Sequence, residues 1–211
     1  MERYETEEQQ VEAIKRFWKE NGMALAIGAV LGLGGLYGWR WYNEQQINAQ
    51  ESASFAYEKA SGDLSEDEKG FSQAQTYVTE HSDTGYAYLM SLELAQKAIE
   101  RKDLTEASKQ LSFVVNNTEI SAIKAIASIR LARVQIEQNQ LDEALKSVDS
   151  VVDEAFAGQV HEVKGDVYLA QQLFDKARAA YSAALEKNSN DQILKMKLDS
   201  LTSMTPVAAN G

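Results

Sequence analysis

The stretch GMALAIGAVLGLGGLYGW, Gly22–Trp39, runs for 18 residues without a charged side chain. As a helix rising about 1.5 Å per residue it reaches ~27 Å, close to the ~30 Å hydrocarbon core of a bilayer. Aromatic residues flank it, Phe17 and Trp18 on one side and Tyr37, Trp39, Trp41 and Tyr42 on the other. Rings of this kind settle at the two headgroup layers, and the long stem of Arg40 can carry its charge out to the interface. Residues 22–42 therefore read as a transmembrane helix. A cleavable signal peptide would need small residues around a cut site, whereas Gly34, Gly35 and Gly38 lead into the bulky WRWY cluster. Lys15, Arg16 and Lys19 precede the span and Arg40 alone follows it closely. The positive-inside rule then puts residues 1–21 in the cytoplasm and everything after Tyr42 outside, a single-pass type II arrangement. Ala24, Gly28 and Gly32 at steps of four, then Gly34 and Gly38, permit close approach of another membrane helix.

Downstream, residues 43–70 read as a linker helix and an acidic loop, SGDLSEDEKG (Ser61–Gly70), where glycines and clustered acids interrupt the helical pattern. The loop lacks the ligand spacing of an EF-hand. Over residues 71–202, helical segments alternate with short polar turns. Three helix–turn–helix units superpose on Ala107, Ala144 and Ala177, spaced 37 and then 33 residues apart, near the ~34-residue period of tetratricopeptide repeats. Twelve residues before these alanines stand Ala95, Ala132 and Gly165; four after them stand Leu111, Val148 and Tyr181; seven after, Val114, Val151 and Ala184. Small residues at matching places let paired helices cross closely. Phe71–His81 is a candidate partial unit, and a general bundle of αα-hairpins is the competing architecture. Residues 203–211, which hold the single proline, Pro206, read as a flexible tail. The expected fold class is all-α: one N-terminal transmembrane helix followed by a tetratricopeptide-like α-solenoid.

Composition narrows the function. Hydrophobic residues at 44% and charged residues at 25% suit a folded chain. The net charge is −11, and residues 43–211 hold −10 of it. With no basic face, nucleic acid is not a partner. The chain has no cysteine, which excludes disulfides, thiol catalysis and thiolate metal sites. His81 and His161 lie 80 residues apart and outside any zinc spacing. Neither a nucleophile elbow nor a phosphate-binding glycine loop occurs in the soluble part. Glu137, four residues after Arg133, has the spacing of a helical ion pair. The sequence predicts no enzyme and no cofactor.

An α-solenoid leaves a concave surface lined by the first helix of each unit. Placed on these helices, the repeat's inward positions are Leu89, Leu92, Gln96 and Ile99 in the first unit, Ile126, Ile129, Arg133 and Ile136 in the second, and Gln159, Glu162, Asp166 and Leu169 in the third. Apolar residues on such a wall suggest peptide or protein binding, against the alternative that several are ordinary core.

The stretch QVEAIKRFWKENGMALAIGAVLGLGGLYGWRWYN (Gln10–Asn43) resembles the N-terminal anchor of the YfgM family, the ancillary subunit of the SecYEG translocon. SASFAYEKA (Ser52–Ala60), SLELAQ (Ser91–Gln96), RLARVQ (Arg130–Gln135) and ALKSVD (Ala144–Asp149) are similar to that family's soluble domain, and the resemblance departs at Ser61–Gly70 and Ser203–Gly211. It implies a bacterial inner-membrane protein with its repeats in the periplasm. It further implies association with SecYEG and the membrane-anchored chaperone PpiD, and help in passing translocating polypeptides to periplasmic chaperones. Negative regulation of the RcsB stress response from the cytoplasmic side is implied as well. The competing reading is a repeat scaffold for another envelope assembly, such as cytochrome maturation or cell division.

Overall fold

The computed structural model describes residues 7–64 and 68–204. Residues 1–6 of the expected cytoplasmic segment, 65–67 of the acidic loop and 205–211 of the tail lie outside the described residues. All described elements are helical, with no strand among the described residues. The chain divides into two compact units, residues 1–52 and residues 53–211.

The first unit is built on the helix α1, Glu7–Asp63. One 18-residue window of this helix has a mean hydropathy of 1.5 with none of it buried in protein, so α1 is long and apolar enough to cross a membrane. Met23, Val30, Leu31 and Leu36 are 78%, 70%, 70% and 66% exposed. Left in water, such surface costs about 25 cal/mol per Å2; lipid removes that cost. Glycines would weaken a helix in water, but in hydrocarbon each backbone group must find its partner within the helix, and the glycine-rich stretch stays helical.

The second unit stacks hairpins. The last turns of α1, from Ala53, pair with α2 (Glu68–Glu80). Then follow α3 (Gly85–Glu100) with α4 (Leu104–Asn117), and α5 (Ser121–Glu137) with α6 (Leu141–Asp149). A single 3-10 turn, Glu154–Phe156, leads into α7 (Ala157–Ala170) with α8 (Phe174–Lys187), and α9 (Gln192–Met204) closes the stack. The three units legible in the sequence are the hairpins α3–α4, α5–α6 and α7–α8. Ala107, Ala144, Ala177 and Ala132 are 0% exposed and Ala95 1%, with Leu111, Val148 and Tyr181 filling the space beside them at 0%.

Each of these hairpins turns in the same way. The N–H of Lys102 donates to Ile99 and that of Asp103 to Ala98; Asn139 and Gln140 donate to Ile136 and Gln135; Gln172 and Leu173 donate to Leu169 and Tyr168. This is the Schellman pattern, which satisfies the last carbonyls of a helix through one left-handed residue. Lys102, Asn139 and Gln172 hold that place at φ 63°, 58° and 60°.

The stack's two ends are closed by elements outside the three aligned units. At one end the Tyr77 hydroxyl donates to the Ala53 carbonyl at 2.8 Å, and Ala60 and Leu64 are buried with Phe71 and Ala74. The partial unit expected at Phe71–His81 thus has its first helix in the end of α1. At the other, Asp191 caps α9 by accepting from the N–H groups of Ile193 and Leu194, and Leu194 and Leu201 pack beside Tyr181.

Candidate partner-binding groove

A groove of about 430 Å3 opens among the first helices of the three units and the start of α4. Ile99, Leu104, Val134 and Ile136 give it an apolar floor, and Arg130, Arg133, Glu137 and Asp166 stand along its rim. Of the residues expected on the concave wall, the groove brings together Ile99, Arg133, Ile136 and Asp166. Leu104, Arg130 and Val134 line it without having been singled out in the sequence, and Glu137, expected only as an ion-pair partner of Arg133, lines it as well.

The other expected residues scatter. Ile129 is 2% exposed in the central core with Ala132 and Val148, so it packs against its own domain and offers no surface to a partner. It lies three residues before Ala132 and therefore shares the face that crosses the next helix. Leu92 and Leu169 are half-buried against the first and last core clusters, and Ile126 is half-buried. Leu89 is 40% exposed. Gln159 is exposed, and so is Gln96, which donates to Glu100 on its own helix at 3.3 Å.

Charge on the α7 wall is organised by a residue the repeat register did not reach. Lys197 of α9 donates to Glu162 Oε1 at 2.8 Å and to both oxygens of Asp166 at 2.7 and 2.9 Å. Tyr181 donates its hydroxyl to Asp166 Oδ1 at 2.7 Å, and the Lys197 ammonium lies 5.5 Å from the centre of the Tyr181 ring. Burial works against the charge on Lys197, but the hydrogen bonds to Asp166 and Glu162 outweigh it and hold its pKa above the ordinary lysine value. Burial first, then the bond to Asp166, pushes the Tyr181 phenol far up, so it remains a neutral donor. Arg133 reaches across to Glu162 at 3.5 Å, and the i, i+4 pair expected with Glu137 does not form. No group of three or more histidines and carboxylates among the described residues could hold a metal ion.

On the apolar stretch of α1, Ala24, Gly28, Gly32 and Gly35 fall within an arc of about 80°, with Gly34 and Gly38 on its flank. No protein atom outside the helix's own backbone lies within 4 Å of where a Cβ would stand at Gly28, Gly32, Gly34 or Gly38.

Comparison with known proteins matches residues 15–203 to the family model described as a tetratricopeptide repeat-like domain. The ancillary SecYEG translocon subunit of Escherichia coli (strain K12) is 38% identical over 206 residues, which cover 96% of this chain and 100% of that protein. The chain belongs to the YfgM family. The ancillary SecYEG translocon subunits of Haemophilus influenzae and Neisseria gonorrhoeae are each 32% identical, over 203 and 205 residues, covering 92% of this chain and 97% of each relative. These YfgM relatives carry the name of an accessory subunit and not of a catalytic activity.

Proposed function

We propose that this protein is a membrane-tethered interaction module of the SecYEG translocon, anchored as a type II protein in the bacterial inner membrane with its repeats in the periplasm. There it helps pass translocated polypeptides to periplasmic chaperones, acting with PpiD, and its cytoplasmic segment restrains the RcsB stress response. The observation that carries this reading is one chain joining a helix long and apolar enough to cross a membrane to a repeat domain with an open, apolar-floored groove. The relatives' names support the translocon as the place of action. Lys15, Arg16 and Lys19 before the span support the orientation.

Tethering gives the mechanism its force. A groove held beside an exit pore meets an emerging chain at an effective concentration on the order of mM, so weak and reversible contact suffices. Photocrosslinking probes at Gly28 and Gly38 in the span, and at Ile136 and Arg133 in the groove, test this in living cells. The expected products join the span to the translocation channel and the groove to PpiD or to nascent chains. Products with another envelope complex alone would keep the tethered repeat and move its function to that assembly.

A further inference from the structure

Although the chain carries −11 overall, the spare hydrogen-bond donors at the groove are cationic. Arg130 and Arg133 stand three residues apart on α5 and rise from the same wall. Arg130 is exposed and has no ion-pair partner among the described residues. Arg133, with its side chain 48% exposed, makes a single long contact with Glu162. The acids of the opposite wall are already engaged: Lys197 binds Glu162 and both oxygens of Asp166, and Tyr181 binds Asp166 as well. That leaves Glu137 as the groove-lining carboxylate without an ion pair among the described residues. Two guanidinium groups with up to five N–H donors each exceed what one carboxylate can accept.

The floor selects shape. It is made by helices alone, with no strand edge among the described residues to pair with an extended peptide. A helical guest satisfies its own backbone and needs only side-chain contacts.

We infer that the groove receives an amphipathic helix of a partner protein whose apolar face is flanked by carboxylates, with Arg130 and Arg133 as the anion contacts. Lys197 is the positioning residue that offsets one of the two negative charges of the opposite wall and ties up the hydrogen-bonding oxygens of both carboxylates. The inference rests on the groove reading above and adds the chemistry of the guest. Without the Lys197 ammonium, Glu162 and Asp166 would present two negative charges to an incoming carboxylate, and Glu162 would compete more strongly for Arg133. Like charges facing one another across an interface reject a partner that contacts elsewhere would attract.

The experiment uses the full chain in detergent micelles and two labelled helical peptides that share one leucine face. One peptide is flanked by glutamates and the other by lysines, and fluorescence anisotropy reads their binding at low salt. The glutamate peptide is expected to bind at least about tenfold tighter, with the margin shrinking as salt screens it. Arg130→Glu with Arg133→Glu should abolish or reverse the preference. Lys197→Met should narrow it, while Lys197→Arg, which keeps the charge, should preserve it. Ile136→Asp should weaken both peptides by spoiling the floor. Equal binding of the two peptides would overturn the inference and leave the groove standing. Binding of neither would remove the groove reading together with it. A preference that survives the double arginine reversal would place the acidic guest on some other surface and overturn the inference.

Discussion

One methyl group separates Gly165 from Ala95 and Ala132, its counterparts in the other two units. A Cβ at Gly165 would stand 2.4 Å from the Tyr181 ring, whereas Ala95 shares its core cluster with Leu111 and Ala132 with Val148. The third unit has exchanged volume across the helix crossing, small for smaller on one side and aliphatic for aromatic on the other. Tyr181 is 0% exposed and bonded to Asp166, so the ring has nowhere to retreat. Gly165→Ala should therefore lower stability by about 1–3 kcal/mol through overpacking, although alanine is the better helix former by ~1 kcal/mol. Urea unfolding of the solubilised full chain, followed by circular dichroism, measures it. Adding Tyr181→Leu should recover much of the loss, a non-additivity expected only between residues in contact. Losses that simply sum would show the exchange to be coincidence. The columns of this exchange are legible in the sequence alone, because residue size is written there. Ile129 was not, for a physical reason: α5 buries Ala125, Ala127, Ser128, Ile129, Leu131, Ala132 and Val134 around most of its circumference. Periodicity names the apolar residues of a helix but cannot say which apolar side stays open when neighbours cover nearly all of it. Lys197 escaped notice because a lysine on an amphipathic helix past the last aligned unit looks like a solvated charge.

At the scale of elements, the three Schellman turns and the closing helix set how firmly the stack holds together. Lys102, Asn139 and Gln172 carry side chains in a left-handed conformation that costs roughly 1–2 kcal/mol for an L-residue and less for asparagine. Lys102→Gly and Gln172→Gly should each raise stability by about 1 kcal/mol, and Asn139→Gly by less, in the same urea assay. A drop at all three positions would mean that their side chains hold the turns in a way backbone conformation does not describe. The packing of helix α9 should depend on pH through Lys197. Its pKa in the folded chain lies above the ordinary value, so its stabilising effect is complete below the ordinary lysine pKa of about 10.4 and is lost as pH rises through the higher folded value. Thermal melts of the wild type and Lys197→Met should differ by a constant margin from neutral pH up to about 10, then converge in stronger alkali. A margin that vanished near neutrality would point to a different titrating group.

For the whole molecule, the division into two units makes the anchor and the repeats separable in principle. All three core clusters draw their buried residues from Ala60 onward, and the hydrogen bond from Tyr77 reaches back no further than Ala53. Every buried contact that closes the stack therefore survives removal of residues 1–42. Such a fragment, exported with a cleavable signal, should keep its helical dichroism and a cooperative melt close to that of the full chain. On the function proposed above, its contacts with the translocation channel should fall steeply, because a free fragment must reach the exit site from bulk solution. A tether supplies on the order of mM local concentration, whereas an exported domain at micromolar levels is about a thousandfold more dilute. Quantitative crosslinking at matched expression separates the alternatives. A folded fragment with little crosslinking supports a tether that works by concentration. A folded fragment that crosslinks as well as the full chain would mean that the repeats bind the translocon tightly by themselves, and the membrane helix would then need another purpose.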